Sequence, residues 1–360
     1  MTWFQSNVSN KSYTMEQVYE IAGISRQGHY SHQKRLVSKL AKTEALLSGV
    51  REARLSHPRM GSRPLYKLLN VEGIGINQFE KLLAREGLGI KRKRNRHKTT
   101  DGSKYKGGLS NLLNGREINT INQVWVSDIT YFQVKEKTFY IIILMDIYCR
   151  KILGCEVYEN MLAKNTISVL KQALKYRSRS FYDNTLIHHS DKGSQYMSTD
   201  YKKLLSDFEI RISVAKNSLQ NGYAERINST IKNDYLNFHK TEDLKKLRRN
   251  LKYCVWLYNN ERPHSSLDYL SPVAFERLLS EQPNAAGKQM ILYDFTQDYT
   301  VEFFEGIGQS RNHSFYHTEK GSEEPDFSIV QDYSLKGCSP AEPFSASSCD
   351  TKVIRFKNKQ

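Results

Sequence analysis

VWVSDITYFQV (124–134) opens a run of three β-rich segments, continued by TFYIIILMDIY (138–148) and KILGCEVYE (151–159). Their β-branched and aromatic residues favour extended chain, and the short separators predict hairpin connections. We expect the first turn at Lys137 and Thr138, and a tight link at Cys149 and Arg150 between the second and third strands. The middle segment is apolar on both faces, which predicts a central strand of a sheet.

The segments that follow alternate between helix and strand. Apolar spacing predicts helices at 163–178, 200–210 and 224–238, and β-rich runs predict strands at 186–191 and 210–215. The resulting order, β-β-β-α-β-α-β-α, is that of the ribonuclease H fold. The predicted fold class is therefore α/β (α+β), with a ribonuclease H-like mixed sheet and helices on both faces. A last helical segment (242–260) ends in YNNERPHSSLDYLSP (258–272).

Upstream of the sheet, the pattern is all-helical. In TMEQVYEIAGISRQGHYSHQKR (14–35), Gly23 follows a short apolar stripe and Ser25 is placed to cap the next helix. This is the outline of a helix-turn-helix, and it puts Arg26 and Gln27 at the start of the helix that would enter a DNA groove. An ordinary helical hairpin is the alternative, because short matches of this kind arise by chance.

A second helix-turn-helix outline follows. We expect one amphipathic helix from Leu40 to Leu55 and another from about residue 76 to residue 87. Then KRKRNRHK (91–98) contains six Lys or Arg in eight residues. This charge density predicts a linker that lies along a DNA backbone, and a merely solvated linker is the alternative. The basic residues expected to touch DNA there are Lys91, Arg92, Lys93 and Arg94.

The charge differs between parts of the chain. Five parts are predicted: a helix-turn-helix-like region (1–56), a second one (57–90), a basic linker (91–120), a ribonuclease H-like core (121–280) and a weakly ordered acidic tail (281–360). The whole chain has a net charge of +16, but the tail carries −4 and the preceding residues carry +20. A positive surplus of this size favours nucleic-acid binding through counterion release.

Composition excludes several other classes. No run of 18 apolar residues occurs, so no membrane span is expected, and the N-terminus shows no secretory signal. The five cysteines are scattered without a C-x-x-C pair, which favours reduced thiols over a disulfide framework or a zinc site. We therefore expect a cytoplasmic protein with no membrane partner.

Three carboxylates stand at the ends of predicted elements. Asp128 interrupts the first strand, Asp191 ends the fourth, and Glu225 lies in the first turn of a helix. In a ribonuclease H-like sheet those strands are neighbours and the helix packs across their ends, so the three side chains converge. They would repel one another without cations, and two Mg²⁺ ions about 3.5–4 Å apart suit in-line phosphoryl transfer. Taken singly, each carboxylate is more ordinarily a surface residue or a helix cap.

WVSDITYF (125–132), HHSDKGSQY (188–196), NGYAERINSTIK (221–232) and YNNERPHSSLDYLSP (258–272) together resemble the catalytic core of the retroviral-integrase superfamily. They are most similar to the IS3-family insertion-sequence transposases, in the larger, catalytic reading-frame product. The resemblance covers roughly 15–280 and implies an Asp-Asp-Glu triad of Asp128, Asp191 and Glu225 that binds two Mg²⁺ or Mn²⁺ ions.

The sequence also departs from that family's pattern. QNGYA (220–224) replaces the usual Asp-Asn-Ala before the glutamate, and the 33 residues between Asp191 and Glu225 are slightly fewer than usual. The tail after residue 284 has no counterpart in the family.

The resemblance implies a basic residue for DNA phosphate seven positions after the glutamate, which is Lys232. An exposed helix lysine is the alternative. Arg226 and Arg262 are further expected DNA contacts, with Asn228 as a lesser helper of the site. The motif around Arg262 also contains His264, which suits either backbone contacts or a helix cap.

Several neighbours of the aspartates are ambiguous. His189 shares a strand face with Asp191, so it either positions water or substrate or is a satisfied structural histidine. Gly193 is expected to let the backbone pass close to the site. Tyr196, like Gln195, suits DNA contact or the core, and Asp146 is expected to be structural.

The function expected from these features is that of a DNA transposase with metal-dependent strand cleavage and strand transfer. Its partners would be terminal inverted repeats and target DNA, a further copy of itself in a synaptic homo-oligomer, and optionally a separate upstream helix-turn-helix protein. A structure-selective nuclease on the same fold is one alternative, and a catalytically decayed DNA-binding regulator is the other. The two helix-turn-helix outlines favour the transposase over the nuclease, and the three carboxylates favour it over the regulator.

Overall fold

The computed structural model describes residues 13–90, 108–177, 186–282 and 289–292. The α-helices are α1 Met15–Ile21, α2 Arg26–Ser56, α3 Ser62–Leu68, α4 Ile76–Arg85, α5 Ala163–Arg177, α6 Ser194–Met197, α7 Thr199–Asp207, α8 Gly222–Ser229, α9 Leu244–Asn260 and α10 Pro272–Glu281. The strands are β1 Glu117–Ile118, β2 Val124–Val134, β3 Lys137–Asp146, β4 Ile152–Tyr158, β5 Ile187–Ser190, β6 Arg211–Val214 and β7 Met290–Ile291.

Five of the described strands form one mixed sheet in the order β4-β3-β2-β5-β6. The β2–β3 and β3–β4 pairs are antiparallel, and β5 lies parallel to β2 and to β6. This is the topology that the element order predicts, with the first and fourth core strands as neighbours. The ribonuclease H-like fold is confirmed.

Strand alternation divides the apolar side chains between two faces of the sheet. Val126 and Ile143 belong to the cluster that includes residues of α8, α9 and α10, whereas Trp125 and Leu144 pack with α5 and α7. Neighbouring residues of one strand thus enter opposite layers, as the two-residue period of a strand requires. Helices cover both faces, as predicted.

The hairpin between β2 and β3 turns two residues earlier than expected. Val134 pairs with Lys137, so Lys135 and Glu136 form the turn, and Lys137 and Thr138 belong to β3. The prediction of a turn at Lys137 and Thr138 is wrong, because Lys135 adopts a left-handed conformation (φ 55°) that the sequence alone did not suggest.

The turn between α1 and α2 forms as the sequence predicts. Thr14 caps α1, the left-handed Gly23 (φ 63°) follows it, and the Ser25 side chain accepts a hydrogen bond from the Gly28 amide at the start of α2. The structure corrects one prediction. The helix that begins at Arg26 continues to Ser56 without a break, so Leu40–Leu55 is its second half and not a separate helix.

The second half of α2 packs with α3 and α4. Val50 shares a separate apolar cluster with Met60, Leu65, Phe79 and Leu83. We call the described residues 13–90 the helical unit and residues 108–292, where described, the catalytic unit. No described helix is both long enough and apolar enough to cross a membrane.

The catalytic unit also reaches beyond its predicted bounds. β1 and β7 pair through Ile118 and Met290, which ties the chain before residue 121 to the chain after residue 280. Ile118 and Leu292 are buried in the same cluster as the sheet. Part of the expected linker and of the expected tail therefore belongs to the catalytic unit, and residues 293–360 lie outside the described part of the chain.

Candidate active site

Asp128 and Asp191 lie at the same edge of the sheet. Val126 on β2 pairs with His189 on β5, and two residues beyond this pair each strand carries one of the two aspartates. The parallel pairing therefore brings together two carboxylates that are 63 positions apart in sequence. Burial, together with the charge of Asp191 and to a smaller extent that of Glu225, raises the pKa of Asp128 to about 7.

One Asp128 oxygen is held from α8. The Asn228 amide nitrogen donates to Asp128 Oδ2 at 2.9 Å, and this hydrogen bond partly offsets the rise in the pKa of Asp128. The start of the same helix is fixed on β2, because the Asn221 side chain donates to the Ser127 carbonyl at 3.4 Å. Asn228 was expected only as a lesser helper, and it is the polar group that joins the catalytic helix to the first aspartate.

The loop after β5 shapes the surroundings of Asp191. The Gly193 amide donates to Asp191 Oδ1 at 2.9 Å, and a Cβ atom at Gly193 would come within 3.0 Å of that oxygen and 2.9 Å of Gln195 Oε1. A side chain at position 193 would therefore push against the carboxylate. Burial raises the pKa of Asp191, and the Gly193 amide lowers it again in part. The close approach expected of Gly193 is present.

Glu225 lies in the first turn of α8, with its side chain toward the same edge. It is the most exposed of the three carboxylates, and burial raises its pKa. Its charge acts on Asp128, so all three predicted carboxylates are electrostatically linked through the first aspartate. The structure brings them together from β2, β5 and α8, as the element order predicts.

The chemistry of this donor set suits a hard divalent cation. All three groups are carboxylates whose mutual repulsion a cation would relieve. Asn221 Oδ1 and Asn228 Oδ1 are buried without a hydrogen-bond donor among the described residues, and water on a bound cation is a donor of the kind they lack. As the side chains stand, no three His, Cys, Asp or Glu of the described residues form a closed set of ligands. The carboxylates fit a cation that completes the site on binding.

Asp146 is held by the backbone. Its carboxylate accepts hydrogen bonds from the amides of Asn122, Tyr148 and Cys149, which shape the link between β3 and β4. Burial raises its pKa to about 6, and these amides lower it in part. The geometry supports the structural role that the sequence suggested.

Lys232 approaches the site differently from what a continuous α-helix predicts. After Ser229 the helix widens into a π-helix, Thr230–Tyr235, which changes the angular position of the residues that follow. The Lys232 ammonium donates to the Tyr131 carbonyl at 2.8 Å and lies 4.3 Å from the centre of the Tyr131 ring. Lys232 therefore borders β2 three residues beyond Asp128, and burial lowers its pKa.

Both histidines before Asp191 are satisfied inside the protein. His189 bonds to Ser213 Oγ at 2.8 Å and the Gln220 carbonyl at 3.0 Å, and His188 bonds to the Tyr201 hydroxyl at 3.0 Å. Burial lowers the pKa of His189 to about 4 and that of His188 to about 3. The geometry therefore favours a structural role for His189 over the positioning of water or substrate.

Two other ambiguous residues also have structural partners. Tyr196 is buried, and its hydroxyl shares a hydrogen bond with Ser127 Oγ at 2.9 Å. This geometry favours a role in the core over contact with DNA. Arg262 forms an ion pair with Asp234 at 2.9 Å and donates to the Tyr235 hydroxyl at 3.3 Å. Its contact with DNA stays a prediction, and the structure adds this internal role.

The remaining predicted DNA contacts lie apart from the carboxylates. Arg226 is exposed on α8 beside Glu225, and Arg26 and Gln27 are exposed at the start of α2. Their DNA contacts stay predictions. Lys91, Arg92, Lys93 and Arg94 lie outside the described residues.

Sequence reasoning missed a buried histidine that joins the two units. His57, at the end of α2, bonds to Tyr235 and to Glu261 of the catalytic unit. The signal that could have found it is its position directly before Pro58, where an otherwise helical pattern stops.

Two stretches of the chain match family models described as an integrase core domain, residues 119–217 and 206–272. The chain is 30% identical over 269 residues to the Insertion element IS600 uncharacterized 31 kDa protein of Shigella sonnei, a match covering 71% of this chain and 96% of that protein. It is 31% identical over 225 residues to the transposase for insertion sequence element IS904 of Lactococcus lactis subsp. lactis, covering 61% of this chain and 88% of that protein. Among solved structures, the HTLV-2 integrase catalytic core domain in complex with magnesium matches 45% of this chain and 97% of that chain, at 18% identity and a TM-score of 0.35.

Proposed function

This chain belongs to the insertion-sequence transposases with an integrase core domain, and we propose that it cuts and joins DNA through Asp128, Asp191 and Glu225. The family resemblance drawn from the motifs is confirmed: the chain is a DNA transposase of the retroviral-integrase superfamily, and the IS3 family fits its relatives. The observation that carries the proposal is the parallel pairing of β2 with β5, which puts Asp128 and Asp191 at one sheet edge, with Glu225 in the first turn of α8.

Asp128, Asp191 and Glu225 would together hold two Mg²⁺ or Mn²⁺ ions. When bound, such ions activate an attacking oxygen and stabilise the leaving oxygen of a phosphodiester. Asn228 keeps one oxygen of Asp128 oriented, and the Gly193 amide does the same for Asp191. The side chains of the site thus enter the reaction already positioned.

Two phosphoryl transfers follow from this arrangement. In the first, a water oxygen attacks the phosphorus at the end of the element. The bond between phosphorus and the 3′ oxygen breaks, and that oxygen is released as a 3′-hydroxyl. In the second, that hydroxyl attacks a phosphodiester of the target strand and displaces its 3′ oxygen. No protein side chain forms a covalent bond with DNA in either reaction.

DNA ends would be bound mainly by the basic part of the chain. The helical unit, with Arg26 and Gln27 at the start of α2, would read the terminal inverted repeats, and Lys91 to Arg94 would follow the backbone. Lys232 and Arg226 would contact phosphates near the carboxylates. Holding two ends together requires at least two copies of the chain, with a separate upstream helix-turn-helix protein as an optional partner. As an enzyme acting on the bacterial chromosome, it would work in the cytoplasm at the nucleoid.

Strand transfer with labelled element ends tests this proposal. The full chain with Mg²⁺ and an end carrying the inverted repeat should cut and join the end, and Asp191→Asn should abolish both reactions while DNA binding persists. Asp207→Asn, at an exposed aspartate of α7, is the matched control and should leave activity unchanged. Cleavage that survives Asp191→Asn would contradict the triad, and cutting without end preference or joining would favour a nuclease.

A further inference from the structure

The helical unit and the catalytic unit each have an apolar core of their own. Val50, Met60, Leu65, Phe79 and Leu83 form the core of the helical unit, and none of them belongs to the clusters around the sheet. Polar side chains join the two units. Lys67 of α3 lies 5.7 Å from the centre of the Tyr269 ring, and His57 at the end of α2 enters the catalytic unit.

His57 is the most enclosed of these contacts. Its side chain is 1% exposed, its ring meets the Tyr235 ring edge-on at 5.8 Å between centroids, and both of its nitrogens have partners. Nδ1 lies 3.0 Å from the Tyr235 hydroxyl, and Nε2 lies 3.1 Å from a carboxylate oxygen of Glu261. A histidine from the helical unit is thus inserted between two residues of the catalytic unit.

The hydrogen bonds around His57 have a fixed direction. The Glu261 carboxylate accepts only, so His57 Nε2 carries the proton, and Nδ1 accepts from the Tyr235 hydroxyl. The Tyr235 oxygen in turn accepts from Arg262, whose other terminal nitrogen pairs with Asp234. Burial lowers the pKa of His57, which keeps the ring in the neutral form that this chain of donors requires. We call these five residues the His57 network.

The network ends on the helix that carries the catalytic glutamate. Tyr235 closes the π-helix Thr230–Tyr235, which continues α8 with Glu225 and Asn228 and contains Lys232. Glu261 follows the last residue of α9, which packs on the same sheet face as α8. A shift of the helical unit would therefore act on α8 through Tyr235.

We propose that His57 is a positioning residue that fixes the helical unit against the glutamate-bearing helix, so that the place where the helical unit binds a DNA end determines which phosphodiester reaches the carboxylates. This inference rests on the proposed function of the site. An apolar interface tolerates sliding, but the contact of the buried His57 with Tyr235 and Glu261 has one register, because a shift leaves the ring nitrogens of His57 unpaired away from water. The five side chains of the His57 network then determine how far along the DNA the cut lies from the sequence that the helical unit binds.

The test is the position of the cut in the full chain. His57→Phe keeps a ring beside Tyr235 but removes both hydrogen bonds, and Tyr235→Phe removes only the hydroxyl. Both variants should bind end DNA as the wild type does, spread their cuts over neighbouring phosphodiesters, and cut the wild-type position about 10²-fold more slowly. Tyr253→Phe, at an exposed tyrosine of α9, is the control and should cut as the wild type does. If His57 were merely structural, both variants would cut more slowly at every position but at the same phosphodiester as the wild type. A single cut at the wild-type position in both variants would therefore overturn the proposal.

Amide hydrogen exchange separates this inference from the proposed function, because it needs no DNA cleavage. In both variants, exchange should accelerate in residues 46–57 and 229–236, on the two sides of the network, and stay unchanged in residues 165–176 of α5. If the wild type cuts no DNA but exchange responds in this way, the proposed function fails and the coupling of the two units stands. Unchanged exchange in both segments would overturn the coupling itself.

Discussion

Two aspartates on neighbouring strands, the half-buried Asp128 of β2 and the buried Asp146 of β3, have opposite surroundings. Burial raises the pKa of both, to about 7 and about 6. Asp146 accepts hydrogen bonds from three backbone amides, whereas Asp128 accepts from one backbone amide, that of Ile129, and from the Asn228 side chain, and it faces Asp191 and Glu225. A buried carboxylate that the backbone satisfies serves the fold, and one that other carboxylates oppose is available to a cation. A raised pKa alone does not distinguish the two carboxylates.

The largest expected effect separates the two aspartates by activity. Asp128→Asn keeps the shape and the Asn228 neighbour but removes the charge that a cation needs, so strand transfer should fall by at least about 10³-fold while the protein stays folded. Asp146→Asn, assayed at a temperature where it is folded, should retain most of its activity per folded molecule. Comparable losses in the two variants would erase the distinction.

The second effect separates them by stability. Asn at position 146 offers one acceptor oxygen where the carboxylate offers two, and its amide group would face donating backbone amides. Asp146→Asn should therefore lower the free energy of unfolding by roughly 2–4 kcal/mol. Urea unfolding of the metal-free chain measures this, with Asp200→Asn at an exposed position of α7 as the control. A change no larger than that of the control would show that the three amides do not depend on the charge.

The pH dependence of stability sharpens the contrast further. The folded pKa of Asp128 lies above its unfolded value near 3.8, so ionisation favours the unfolded chain, and stability is lost as pH rises from about 4 through about 7. Asp128→Asn has no such loss. In the absence of metal, the free energy of unfolding of Asp128→Asn relative to that of the wild type should rise by roughly 1–3 kcal/mol over this pH range. Above the range the difference should be constant. Saturating Mg²⁺ should reduce it, and a pH-independent difference would contradict the raised pKa.

Much of this comparison could be predicted from the sequence. Asp128 and Asp146 each interrupt a β-rich segment, and the element order alone placed Asp191 and Glu225 near the first of them. The sequence could not show which buried carboxylate the backbone satisfies, because the amides of Tyr148 and Cys149 reach Asp146 only through the bend of the chain after β3.

The predictions that differ from the structure differ for physical reasons that can be named. The β2–β3 turn was placed two residues late because Lys135 takes a left-handed conformation that residue preferences do not favour. The break expected before Leu40 is absent because α2 continues between its two packed ends. The widening after Ser229 and the contact of His57 with Tyr235 depend on tertiary packing, which local periodicity does not report.

The smallest expected effect concerns the lysines beside each aspartate. Lys232 borders β2 near Asp128 with no carboxylate partner recorded among the described ion pairs, whereas Lys151, near Asp146, pairs with Glu276. Lys232→Met should weaken DNA binding about tenfold and lower the slope of log affinity against log salt by about one. Lys151→Met should leave the slope unchanged. Equal slopes for wild type and Lys232→Met would remove Lys232 from the phosphate contacts.

The most direct test of the central claim maps the cation itself. Fe²⁺ placed in a Mg²⁺ site generates hydroxyl radicals with ascorbate and peroxide, and these cut the polypeptide next to the ion. We predict cuts near Asp128, Asp191 and Glu225 that excess Mg²⁺ suppresses and Asp128→Asn removes, with Asp146→Asn cut as the wild type is. Cuts that cluster at Asp146, or cuts near the three carboxylates that persist in Asp128→Asn, would contradict the assignment of the cation to this site.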